Sequence, residues 1–192
     1  KKIVLALLAL ISAGAIFHGL FAPGLPTGAD LGTHYYLSLE KYALLSETGY
    51  WDGFLPQWYL GFSPFSYYPD LFYLLFAIGK CLLSPVLSDV NTYKLLLVTV
   101  FYLPIGGAFY LTYSMSRSFL FSLLAAVLVM SCSVFSGAGF DGHFSVGLIN
   151  QSLGMGLYFF CLAFFVRWEK SSNWLHSILA LCFFILVIQA HV

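Results

Sequence analysis

Charge is what this sequence has least of. Only 8% of its 192 residues are Asp, Glu, Lys or Arg, whereas a water-soluble domain carries about a quarter. That deficit excludes an ordinary soluble globular surface. Nor is there an excess of either sign: eight basic residues face eight acidic ones, so no polyanionic partner such as nucleic acid is implied. Paired cysteines are lacking too. Cys81, Cys132, Cys161 and Cys182 are scattered through apolar segments, which reads as buried free thiols and excludes a disulfide framework or a zinc knuckle.

What is present is grease. The chain is 60% hydrophobic, with mean hydropathy +0.89, and its apolar runs approach the length of a bilayer crossing. It reads as an all-α, polytopic transmembrane helical bundle. Spans are expected at about 3–22, 91–114, 119–136, 152–167 and 174–192, with an outer loop over about 23–69 that carries an interfacial helix. A cleaved signal peptide competes for the first apolar run. The first residue is Lys1, and the last residues, Ala190 to Val192, stand inside an apolar run. The chain is therefore expected to be the N-terminal part of one longer transmembrane domain.

The loop over 23–69 organises the rest. Pro23, Gly24, Pro26 and Gly28 break the first helix, and Asp30 is a natural N-cap for a helix reaching about Leu45. Asp30, His34, Ser38 and Lys41 recur on one face of that helix, with Asp30 and His34 one turn apart. Gly49 ends it. The stretch 55–69 holds three prolines among repeated aromatics and cannot be a regular span. Trp58, Tyr67 and Tyr68 read either as an aromatic belt at headgroup level or as a stacking surface for a sugar or lipid headgroup.

Residues 70–84 are apolar but short, so a re-entrant piece competes with a short span. Charge bias favours the re-entrant piece. Lys1, Lys2, Arg117, Arg167 and Lys170 then share the cytoplasmic side, while Asp30, His34, Asp141 and His143 share the outer one. A carboxylate and imidazole set of this kind suits either a divalent cation, Mg2+ or Mn2+, or a general base acting on an acceptor hydroxyl. Plainer readings are open beside it: a cap for Asp30, an interfacial polar residue for His34, a glycine turn for Asp141 and His143. Asn150-Gln-Ser152 is a glycosylation sequon on that outer side. His18, His176 and His191 lie in or beside apolar helices, where a hydrogen bond between helices competes with haem or pigment ligation.

The arrangement resembles the GT-C glycosyltransferase superfamily. More narrowly it is similar to the multi-pass membrane proteins known as 6-pyruvoyl-tetrahydropterin-synthase-related. The resemblance rests on Asp30 and His34 after the first span, on Leu55-Pro-Gln-Trp58 and Gly61-Phe-Ser-Pro64, and on the aromatic and proline stretch from Tyr67 to Tyr73. A span, an outer loop with a second acidic motif and a returning span then follow over Phe119 to Lys170. The resemblance implies a polyprenyl-phosphate-linked sugar donor, inversion at the sugar carbon, further spans and often a C-terminal soluble domain. The basic Lys1-Lys2 end is expected in the cytoplasm, in a multi-pass protein of the plasma membrane. It implies Asp30 as catalytic base or metal ligand and Asp141 as the second acidic position. His143, His34, Trp58, Tyr67 and Tyr68 stand around them as metal-binding or substrate-binding candidates. One departure bears on the metal: Gly142-His143 stands where the oligosaccharyltransferase branch has a further acidic residue. The competing function is a non-catalytic accessory subunit of a larger membrane complex, associated with pigment or haem. A transporter is disfavoured, because no span carries a charge pair.

Overall fold

The computed structural model describes residues 20, 22–57, 61–131 and 139–191. The expected first span with His18, the end of the expected span at 119–136, Trp58 and the His191 side chain lie outside what it describes. The described residues are helical and contain no strand beyond one isolated antiparallel bridge between Leu55 and Phe62.

Helix α1, Leu31–Ala43, runs on through a wider π-type turn at Leu44–Thr48. It stops at Gly49, whose φ of 71° suits a residue without a side chain. Helix α2 is Leu71–Leu83. Helix α3, Asp89–Ser116, is capped by the Ser88 hydroxyl, which accepts from the Asn91 amide. Helix α4 is Phe119–Met130, α5 is Ile149–Ser171 and α6 is Trp174–His191. Of these, α3 and α5 are long and apolar enough to cross a membrane.

The helices α3 and α5 pack closely because glycines let their backbones meet. A Cβ placed on Gly156 would stand 2.8 Å from Leu103, and one on Gly107 would stand 2.8 Å from the Phe159 Cβ. At the C-terminal ends, Arg167 donates to the Tyr110 hydroxyl. Lys170 donates to the Ser114 and Met115 carbonyls at 2.8 and 3.1 Å, placing positive charge where the end of α3 is negative. Helix α6 stacks Phe183 on Phe160 and Phe164.

Helix α2 packs across α1 and the start of α3. Tyr73 meets His34, Phe76 meets Tyr35, and Phe72 and Phe76 both meet Tyr93. Asp70 just before α2 touches Lys41, and Lys80 near its end lies over the Tyr42 ring, so both ends reach one turn of α1. The core therefore sits at one end of the bundle, where Leu31, Leu37, Phe72, Phe76, Leu97, Phe101, Ile149 and Leu153 are buried. Away from it, α4 and α6 turn Leu120, Phe121, Leu128, Leu181, Phe184 and Ile185 outward.

Candidate functional site

Two loops meet on the page of the backbone before any side chain is considered. The Ala29 amide donates to the Ser145 carbonyl at 3.0 Å, and the Asp30 amide donates to Val146 at 3.1 Å. Glycine permits the approach on both sides. A Cβ at Gly28 would collide with the Phe144 carbonyl oxygen, and one at Gly147, at φ +94°, would stand 3.1 Å from the Asp30 Cβ. Gly147 closes a π-type turn at Asp141–Val146, and α5 starts two residues later.

Against this junction lies a cavity of about 420 Å³. The first turn of α1 brings Asp30, Thr33 and His34 to it, the start of α2 brings Tyr68, Pro69 and Tyr73, and the first turn of α5 brings Asn150 and Gln151. Asp30 occupies the N-cap position of α1, yet its carboxylate makes no capping hydrogen bond. It stays exposed on the cavity wall. His34 Nδ1 lies 2.8 Å from the Tyr73 hydroxyl. Burial pushes the His34 pKa below its ordinary value, with the neighbouring Asp30 charge opposing. Asn150 donates to the Pro69 carbonyl at 3.4 Å, while its Oδ1 is buried without a partner.

The other expected site residues are placed elsewhere. Asp141 is exposed at the start of its turn and does not line the cavity. His143 is fully buried, bonded to the Leu97 carbonyl at 3.0 Å and packed on Phe101 and Phe144. Burial lowers its pKa to about 4. Residues two apart on a helical turn point to different sides, so Asp141 and His143 do not present one ligand face. Among the described residues no group of three or more His, Cys, Asp or Glu side chains stands together. His34 Nδ1 is taken by Tyr73 and His143 is turned into the core, so these imidazoles do not gather around Asp30. Tyr68 lines the cavity, whereas Tyr67 is 73% exposed and stacks on Phe62. Asn150 and the buried Ser152 sit in the first turn of α5, not on an open loop as the sequon reading expects. His176 bonds Ser171 at 3.0 Å and stacks on Phe164.

One pair escaped sequence reasoning. Lys41 is 0% exposed and its ammonium lies 2.7 Å from Asp70 Oδ2. It also donates to the Trp51 carbonyl and sits 4.3 and 4.6 Å from the centres of the Trp51 and Phe65 rings. The polar stripe of α1 therefore ends in a buried ion pair, and Ser38 on the same stripe is fully buried. The available signal was the stripe itself, whose residues repeat every three or four positions. Its charge partner lies 29 residues away. No protein-family model, no curated protein and no solved structure matches this chain.

Proposed function

We propose that the chain forms part of a polytopic membrane enzyme that transfers a sugar from a polyprenyl-phosphate-linked donor, with Asp30 as general base. The observation that carries this reading is a carboxylate released from its cap on the wall of a cavity built from two loops. The acceptor hydroxyl oxygen forms the new bond to the anomeric carbon. Its proton passes to Asp30, and the bond from that carbon to the phosphate oxygen breaks, with inversion. The lipid phosphate leaves as an anion and needs positive potential.

The first turn of α5 supports that need. It opens on the cavity, and its N-cap residue, Leu148, offers no side-chain acceptor. The Ile149 amide is taken by the Gly147 carbonyl, so the amides of Asn150 and Gln151 and the dipole of this 23-residue helix are what faces the leaving phosphate. Among the described residues no Lys or Arg lines the cavity. His34, whose pKa burial lowers and whose Nδ1 bonds the Tyr73 hydroxyl, stands on the wall beside Asp30.

The membrane reading draws on α3 and α5, on the shorter apolar helices, and on the outward apolar side chains of α4 and α6. Tyr93, near the start of α3, donates to the Leu31 carbonyl beside the cavity. Arg167 and Lys170 bind near the other end of the same helix. With basic residues on the cytoplasmic side, the cavity opens on the outer face of the cell membrane.

The test is sugar transfer from a polyprenyl-phosphate donor by the full-length protein in lipid nanodiscs. Asp30→Asn is expected to lower the rate about 10²- to 10⁴-fold, with Glu47→Gln, on the exposed end of the α1 turn, as control. Undiminished transfer by Asp30→Asn refutes the assignment.

A further inference from the structure

A second cavity, of about 200 Å³, lies on the other side of Tyr68 and Pro69, which line both. Trp51, Phe65, Ser66, Asp70, Ile188 and Gln189 complete its wall. Asp70 is 7% exposed. Its Oδ2 is taken by Lys41, and its Oδ1 is buried with no hydrogen-bond partner. A buried carboxylate oxygen left unpaired is costly, and none of the described residues supplies its donor.

The surroundings select the kind of donor. A cation is disfavoured, because the Lys41 ammonium already lies 2.7 Å from the other oxygen. An anion is disfavoured as well. It would meet the Asp70 carboxylate, while Lys41 is fully committed to Asp70, the Trp51 carbonyl and the faces of two rings. A neutral hydroxyl fits both conditions. The rim fits the rest of such a molecule: Trp51 and Tyr68 are 52% and 41% exposed, and their rings offer flat apolar faces. Gln189 adds an amide able to donate and accept.

We propose that the cavity between Trp51, Tyr68 and Asp70 is a subsite for a neutral sugar ring. One ring hydroxyl donates to Asp70 Oδ1 and the C–H face packs on Trp51. Across Pro69, Asn150 Oδ1 is a second buried acceptor without a partner, on the wall of the larger cavity. A saccharide spanning Tyr68 would supply donors to both. Naming the ring in the smaller cavity as the acceptor rests on the transferase reading above; its binding does not.

The experiment is a tryptophan-fluorescence titration of the full-length protein in lipid nanodiscs, with no glycoside detergent present. The probes are methyl β-glucoside, methyl α-mannoside and N-acetylglucosamine, with inorganic phosphate and Mg2+ as counter-probes. A saturable change is expected with at least one glycoside and with neither counter-probe. It should vanish in Trp51→Phe and persist in Trp174→Phe. The double variant Lys41→Met with Asp70→Asn removes the ion pair and should bind at least tenfold more weakly. Gln189→Leu touches no ion pair and should weaken binding several-fold even if the double variant does not fold. No saturable change with any glycoside, a signal that survives Trp51→Phe, or full affinity in Gln189→Leu overturns the proposal, as does competition by phosphate or Mg2+. Glycoside binding without transfer from any lipid-linked donor leaves this subsite standing and removes the transferase. Transfer that proceeds with no binding at Trp51 does the reverse.

Discussion

Replacing Lys41 with methionine removes the charge and keeps most of the volume. In the folded protein the lost ammonium holds Asp70 Oδ2 at 2.7 Å and the Trp51 carbonyl, and it faces two rings. Both Asp70 oxygens are then left buried without a partner. Removing one partner of a buried pair costs about 3–5 kcal/mol. The lost cation–π contacts add about 0.5–2 kcal/mol, partly offset by thioether packing on the same rings. We expect Lys41→Met to destabilise by about 4 kcal/mol. Adding Asp70→Asn should recover roughly half of that, because a neutral amide tolerates the site better than a stranded carboxylate. The coupling between the two positions should reach about 2 kcal/mol. The measurement is a double-mutant cycle of reversible unfolding in mixed micelles, followed by helical circular dichroism. An exposed pair would give less than about 1 kcal/mol for either change, with simple additivity. That result would refute the burial argued for Lys41.

The remaining predictions concern the core and the pH. His143 is held at a pKa of about 4 by burial, against the opposing effect of its hydrogen bond to the Leu97 carbonyl. Its folded value lies below the unfolded value of 6.5, so the stability it contributes is present above pH 6.5 and lost as pH falls toward 4. The slope is about 1.4 kcal/mol per pH unit. Unfolding midpoints at pH 7, 5.5 and 4.5 should show this slope, and His143→Phe should flatten it to what His34 leaves. Glycine substitutions should divide by position. Gly156→Val meets Leu103 at the α3–α5 crossing and should cost about 1–3 kcal/mol. Gly32→Ala, on the open side of α1, meets nothing within 4 Å and should stabilise by about 0.5–1 kcal/mol. Equal effects at the two positions would sink the close-packing account.

Local signals were legible and tertiary ones were not. The run of Pro23, Gly24, Pro26 and Gly28, with Asp30 after it, places the start of α1. Gly49 places its end, because left-handed backbone there is a property of one residue. The spacing of Asp30 and His34 needed only the helix period, and both line one cavity. The polar stripe of α1 was equally visible, but not the direction it faces: Ser38 and Lys41 point into the protein because Asp70, across the aromatic loop, neutralises the charge. His143 fails for a related reason. An α-helical or loop reading of Asp141 to Val146 does not show that a wider turn carries the imidazole to the Leu97 carbonyl. Tyr73 and Asn150 gave no sign of their roles, since a tyrosine in an apolar helix and an amide in a sequon are both ordinary.

The distribution of buried charged and imidazole side chains argues for function at one end of the described structure. Lys41, Asp70, Lys94 and His143 are all buried, and all belong to α1, α2, the first turns of α3 or the loop before α5. Each carries a desolvation cost that an apolar side chain of similar volume would avoid. Lys94, for instance, spends its ammonium on the Ala22 carbonyl. The opposite pattern holds on α4 and α6, which face outward with bare hydrocarbon. A protein that needed only to be stable in a bilayer would place apolar residues throughout. Charged and imidazole side chains fixed in one layer, beside two cavities with unpaired acceptors, suit the ligand proposed above, with a hydroxyl-rich head and a greasy tail. Its head would be held in that layer while its tail lay along the outward faces of the helices. That is the shape of a lipid-linked sugar, and it is why the cavity wall at Asp30 is the first place to change.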